Sequence, residues 1–198
     1  VSVNTWLEEY MAEMKEKYTT IKNKKMYPVS FLAHAMNLIT EVQNYLYAQD
    51  NQDLENERKK NFGNEKIYEE LVMETVEVHE KYYFTANSLI TDKTGIDMEE
   101  IKNQLQTVDQ REFKVALMED KRPYNESELP KIDKNKLKEV YIAYAKTQAQ
   151  HSRIATEQMI LMQKKPEYQE IAFKTIFQNK FLLKDMILIK YGIDTKYL

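Results

Sequence analysis

Glycine and proline are scarce in this chain: there are only three glycines and four prolines among 198 residues. An average protein has about 7% glycine. Folds rich in β-strands need frequent tight turns, and those turns depend on both residue types. The scarcity therefore argues against a β-rich fold and predicts long helices joined by few connections.

Cysteine is absent altogether, which excludes disulfides, thiolate metal sites and cysteine nucleophiles. The absence fits a reducing compartment, and we expect the protein to be cytoplasmic. No run of about 18 apolar residues occurs, so we expect no transmembrane segment. The chain begins with Val1 rather than methionine, which leaves open whether an N-terminal signal or anchor was removed.

An excess of positive charge is also lacking, because the formal net charge is −3. Dedicated nucleic-acid binders are usually basic, so we predict no nucleic-acid partner. Basic residues cluster at 22–25, 58–60 and 164–165, all at predicted helix ends. There they complement the helix dipole and keep the surface soluble. Phosphate contact is the alternative role for these clusters.

What the chain does contain is apolar residues at three- and four-residue spacing, which predicts an all-α fold. The predicted helices cover residues 4–22, 28–60, 64–92, 98–106, 109–120, 134–164 and 167–191. We expect a helical bundle of about four long helices, with the additional short helices packed across them. The whole chain, residues 1–198, is expected to be a single all-helical domain in which a loop near 121–134 separates two helical halves.

Two helices are predicted to end in the same tripeptide, Gly95-Ile96-Asp97 and Gly192-Ile193-Asp194. A glycine just past a helix supplies a left-handed residue, and the following isoleucine can fold back on the last turn. The repeat is therefore typical of two ordinary helix ends. An internal duplication is the alternative.

Three histidines, His34, His79 and His151, each lie near the apolar face of a long helix, and the sequence leaves open whether they converge. Convergence would give a ferritin-like metal- or ligand-binding bundle. Such di-iron bundles use Glu-x-x-His pairs, but the positions three residues before these histidines hold Phe31, Val76 and Gln148. We therefore interpret the histidines as buried or boundary residues. We predict no metal ligands and no cofactor.

No other catalytic motif stands out, so the catalytic and cofactor-binding residues remain unknown. The chain has no glycine-rich phosphate loop, no nucleophile elbow and no calcium loop. Glutamates at helical spacing occur in residues 8–13, 65–70 and 74–80. Facing rows of this kind could hold magnesium in a helical phosphohydrolase, but a solvated face is the simpler interpretation.

The remaining signal concerns surfaces. The chain has 14 tyrosines and ten methionines, and tyrosine is enriched at interfaces. Residues 181–189 are apolar nearly all round the last helix, which indicates either a central position or an interface. We therefore predict a non-enzymatic protein–protein interaction or assembly module, with a protein partner or self-association. The alternative is a ferritin-like helical metal- or ligand-binding protein, with or without enzymatic activity.

Overall fold

The computed structural model describes residues 5–120 and 131–195. These residues form seven α-helices and one 3-10 turn, and no strand occurs among them, which confirms the all-α prediction. The 3-10 turn spans Pro166–Tyr168, where a helix beginning at 167 was expected. The helices are α1 Thr5–Ile21, α2 Val29–Lys60, α3 Glu65–Thr94, α4 Met98–Leu105, α5 Gln110–Glu119, α6 Lys134–Lys164 and α7 Gln169–Tyr191. Most of the predicted loop, residues 121–130, lies outside the described residues.

Local sequence sets the ends of several helices. The carboxylates of Asp97, Asp109 and Asp133 each accept hydrogen bonds from two backbone N–H groups of the first turn of α4, α5 and α6. These bonds satisfy donors that have no partner within the helix. α3 and α7 are each followed by a left-handed glycine, Gly95 (φ 75°) and Gly192 (φ 69°), as the repeated tripeptide predicts.

The described residues divide into two compact units. The first contains residues 5–49 and 78–120, and the second contains residues 50–77 and 131–195. α2 and α3 are therefore each divided between the two units. The single-domain expectation stays a prediction, because compactness of the parts does not measure whether they unfold together.

The first unit has a large apolar core. α1, the first part of α2, the last part of α3 and α4 supply buried side chains, among them Leu7, Met14, Leu38, Ile90 and Ile101. Two hydrogen bonds join the connection before α2 to α4: the Tyr27 hydroxyl donates to Glu100 (2.7 Å) and the Tyr27 N–H donates to the Gln104 side chain (2.8 Å). Those bonds satisfy polar groups that the core would otherwise leave unpaired.

The second unit has a smaller apolar cluster, formed by Val140, Leu183, Ile187 and Ile193. Val140 is the only residue of the 31-residue helix α6 that is buried. An ordinary helix of a globular protein buries a continuous stripe along one face. α6 therefore leaves more of its surface accessible than is usual for a helix of this length.

Candidate functional site

The second unit contains a fully buried ion pair. Arg58 of α2 and Asp185 of α7 are both 0% exposed. The Arg58 guanidinium donates from Nε to Asp185 Oδ2 (2.7 Å) and from Nη2 to Asp185 Oδ1 (3.3 Å). This two-pronged arrangement is the strongest geometry available to an arginine and a carboxylate.

Further groups complete the ion pair on both sides. Arg58 Nη1 donates to the Thr75 hydroxyl (2.8 Å), and the Tyr68 hydroxyl donates to Asp185 Oδ2 (2.8 Å). The Phe181 ring lies 4.7 Å from the guanidinium carbon. Burial, followed by the adjacent Asp185 charge, raises the pKa of Tyr68 well above its usual value. Tyr68 therefore stays a neutral hydrogen-bond donor. We interpret the network as structural, because it joins α2, α3 and α7 through buried side chains.

This network corrects one interpretation of the sequence. Residues 58–60 were expected to be a solvated basic cluster at the end of α2. Lys59 and Lys60 do pair with Glu55 and Glu57 near the surface, but Arg58 is buried. The missed signal is Asp185, a single carboxylate inside the most apolar segment of α7, which requires a buried cation.

His34 of α2 is buried in the first unit and pairs with the end of α5. Its Nδ1 lies 2.5 Å from Asp120 Oδ1, and the Asn37 amide donates to the other carboxylate oxygen (2.8 Å). The Tyr10 hydroxyl donates to the His34 carbonyl (3.1 Å). A histidine oriented by an aspartate resembles half of a catalytic triad. However, His34 Nε2 is buried without a hydrogen-bond partner, so no substrate atom reaches it in this conformation.

His79 of α3 belongs to a different cluster in the same unit. The Gln43 amide lies 3.2 Å from His79 Nδ1 and donates to the His79 carbonyl (2.8 Å). The Tyr47 ring packs edge-on against the imidazole at 5.4 Å. His34 and His79 therefore have separate partners. Within residues 5–120 and 131–195, no three histidine or acidic side chains are grouped so that they could hold a metal ion.

His151 of α6 lines a cleft in the second unit with a volume of about 360 Å³. The cleft lies between α6 and α7, with residues of both helices and Thr195 in its wall. His151 Nδ1 is buried without a hydrogen-bond partner, and burial lowers the pKa of the imidazole. Clefts of this size lie in the range that binds small molecules.

The outer surface of α6 carries large apolar side chains in two places. Tyr141 (54% exposed) and Ile142 (44%) lie near its start, and Met159 (54%) and Ile160 (46%) lie near its end. The two pairs are 18 residues apart, which is five turns of an α-helix and about 27 Å. They therefore share one face of the helix.

Small exposed side chains connect these two pairs along the same face: Ala145, Ala149, Ser152 and Thr156. We call the eight residues together the α6 stripe. Small residues leave the helix backbone open to close approach by another helix, while the large residues at each end supply apolar area.

The apolar segment 181–189 of α7 is largely covered within the chain. Leu183 and Ile187 are buried, and only Ile189 is exposed in the segment, at 47%. Two of the other exposed apolar residues of α7 lie at its start, Ile171 (60%) and Phe173 (43%). The cover over 181–189 favours the central position, and α6 carries four exposed large apolar side chains, more than any other described helix.

Among residues 5–120 and 131–195, no helix combines the length and the apolar character that a membrane span requires. No family model, no curated protein and no solved structure matches the chain.

Proposed function

We propose that this protein is a non-enzymatic assembly module whose partner is a second copy of the same chain, docked through the α6 stripe. The observation that supports the proposal is the exposure of four large apolar side chains on one face of a helix that buries only Val140. Large exposed apolar side chains grouped on one face of a helix often mark an interface.

The order of residues in the stripe favours an antiparallel pair of identical helices. About a two-fold axis near residues 150 and 151, each position i would face position 301 − i of the other copy. Tyr141 would then face Ile160, and Ile142 would face Met159. Ala149 and Ser152 would meet at the centre, where the backbones come closest. Such self-complementarity is the requirement for a two-fold interface.

Charge and compartment are consistent with this proposal. The formal net charge of −3 supports a protein rather than a nucleic-acid partner. The cytoplasm remains the compartment we expect from the absence of cysteine. Metal binding, the alternative function, gains no support from the separate partners of His34 and His79.

The first test compares two neighbouring substitutions on α6. Ala149→Glu places a charge in the middle of the stripe, whereas Gln150→Glu places the same charge on an adjacent exposed residue outside it. Analytical ultracentrifugation over a concentration series should give a dimer for the parent and for Gln150→Glu, and a monomer for Ala149→Glu. Circular dichroism should be the same for all three. A monomeric parent at all concentrations would refute the proposal.

A second test measures the direction of the pairing, and it benefits from the absence of native thiols. A Tyr141→Cys/Ile160→Cys double variant should form a covalent dimer on mild oxidation. Within one chain the two positions are about 28 Å apart along the helix, far beyond the reach of a disulfide. Each single variant should remain uncrosslinked in the antiparallel arrangement. Efficient crosslinking of Tyr141→Cys alone would instead indicate a parallel pair and contradict the proposed axis.

A further inference from the structure

The charged residues that line the His151 cleft are all positive. Two ammonium groups, Lys180 and Lys184, lie in its wall, and none of the wall residues is acidic. Lys184 already has a counter-charge, because its Nζ lies 3.4 Å from Glu55 Oε2. Lys180 forms no ion pair with any residue of the described ranges. The cleft therefore presents one uncompensated positive charge.

Hydrogen-bonding groups lie beside that charge. His151 Nδ1 is buried with no partner, so the ring offers its other nitrogen, Nε2, to a group that enters the cleft. Because burial lowers the pKa of His151, the ring is neutral near pH 7. A neutral imidazole carries its proton on one nitrogen, and a proton on Nε2 can be donated to an anionic acceptor. The Gln148 amide and the Ser152 hydroxyl line the same α6 side of the cleft.

The rest of the wall is apolar. Ile176, Phe181 and Leu183 of α7 and Ala155 of α6 line the cleft with the polar groups. Phe181 is held in place by the buried Arg58 guanidinium 4.7 Å from its ring centre. Small-molecule sites typically combine such an apolar wall with a few polar groups that orient the ligand.

We propose that this cleft is a binding site for a small amphipathic carboxylate. The carboxylate would pair with Lys180 and accept a hydrogen bond from His151, and the apolar body would lie on Ile176 and Phe181. A single free cation matches a monoanion better than a phosphate dianion, whose second charge would have no partner in the cleft. Ser152 belongs to both the cleft and the α6 stripe, but the inference does not rest on the dimer, because His151, Lys180 and Phe181 lie outside the stripe.

The probe is octanoate, with octanamide and octyl phosphate as comparisons. Isothermal titration calorimetry should give a dissociation constant of about 1 mM or tighter for octanoate, as expected for a ligand of this size. Octanamide should bind at least about tenfold more weakly because it lacks the charge. In spectra of ¹⁵N-labelled protein, octanoate should shift the His151 ring nitrogen signals and the backbone signals of Gln148 and Phe181.

Matched variants decide whether the binding is at this cleft. Lys180→Gln should weaken octanoate binding about tenfold, whereas Lys174→Gln, on the same helix but paired with Glu170 outside the cleft, should leave it unchanged. Ala155→Phe should fill the cleft and abolish binding while circular dichroism stays the same. Equal binding of octanoate and octanamide, tighter binding of octyl phosphate, or an unchanged affinity in both Lys180→Gln and Ala155→Phe would each overturn the proposal.

Discussion

At the scale of single residues, the most consequential feature is the isolation of Arg58 and Asp185 from water. A buried ion pair contributes little to net stability, because desolvation of the two charges offsets their attraction. Removal of one partner is costly, however, since the other charge is then left uncompensated. The pair therefore constrains the second unit by penalising every arrangement that separates the two groups.

We expect Asp185→Leu to lower the free energy of unfolding by about 3–5 kcal/mol, because it leaves the buried Arg58 guanidinium without a counter-charge. The double variant Arg58→Met/Asp185→Leu should be less destabilised than this single variant. Urea unfolding followed by circular dichroism measures both. Glu157→Gln, which breaks the exposed ion pair with Arg153, is the control and should cause no measurable change. A double variant less stable than the single one would contradict this account.

The imidazole of His151 should make stability depend on pH. Burial lowers its pKa in the folded protein below the ordinary value of 6.5, so the unfolded chain binds more protons between the two values. Stability from this group is therefore complete above about pH 6.5 and falls as the pH drops toward the folded pKa. Tyr144, Lys180 and Lys184 face the same cleft.

The measurement is the urea midpoint between pH 7.5 and pH 5. The parent should lose more stability over this range than His151→Gln, which has no titrating ring. Identical slopes for the two proteins would show that the imidazole does not change its pKa on folding.

At the scale of helices, the ends are governed by local chemistry and the faces by packing. Gly95 and Gly192 both adopt left-handed conformations, and the isoleucine after each is buried, Ile96 in the first unit and Ile193 in the second. Each tripeptide therefore ends a helix and returns an apolar side chain to the core of its unit. Ordinary helix termination accounts for the repeat, and duplication stays an untested alternative.

Substitution of Gly63 and Gly192 should distinguish the effect of backbone conformation on the free energy of unfolding from the effect of packing. A Cβ would meet no atom within 4 Å at Gly63 or at Gly192, but only Gly192 has a positive φ. Gly192→Ala should therefore lower the free energy of unfolding by about 1 kcal/mol through backbone strain alone. Gly63→Ala should be neutral or slightly stabilising, because it restricts the unfolded chain without strain. Thermal unfolding of the two variants gives the comparison, and equal effects would refute the explanation.

At the scale of the whole molecule, the two units differ in how they are stabilised. The first has an extended apolar core and pairs His34 with Asp120 at its edge. The second has a small apolar cluster, a buried ion pair, a cleft and a long exposed helix face. Both proposed binding sites belong to this second unit, which leaves more large apolar side chains exposed than the first unit does.

The whole protein should carry no stoichiometric transition metal. None of the three histidines has a carboxylate at the di-iron spacing, and His34 and His79 are held by separate side chains. Elemental analysis after purification without chelator should find less than 0.1 equivalent (about the level of adventitious metal). Addition of chelator should leave the melting temperature unchanged. One equivalent of iron, manganese or zinc surviving gel filtration would contradict the prediction.

The sequence by itself determined the helices and their ends. Helices are indicated by scarce glycine and proline and by the 3.6-residue periodicity, and their ends by capping residues such as Asp97, Asp133 and Gly192. Each of these signals acts over a few neighbouring positions, so it can be identified from the sequence alone. All observed helix bounds accordingly lie within two residues of those predicted; the largest differences are the end of α3 and the start of α7, which follows the 3-10 turn.

Only the tertiary structure decided which faces are covered. Arg58 and Asp185 are 127 positions apart, and no local pattern states that they meet. In the same way, packing covers most of the apolar side chains of residues 181–189. The α6 stripe stays exposed, although its local sequence is less apolar. Burial depends on which helices lie against each other, and that is a property of the folded chain rather than of any segment.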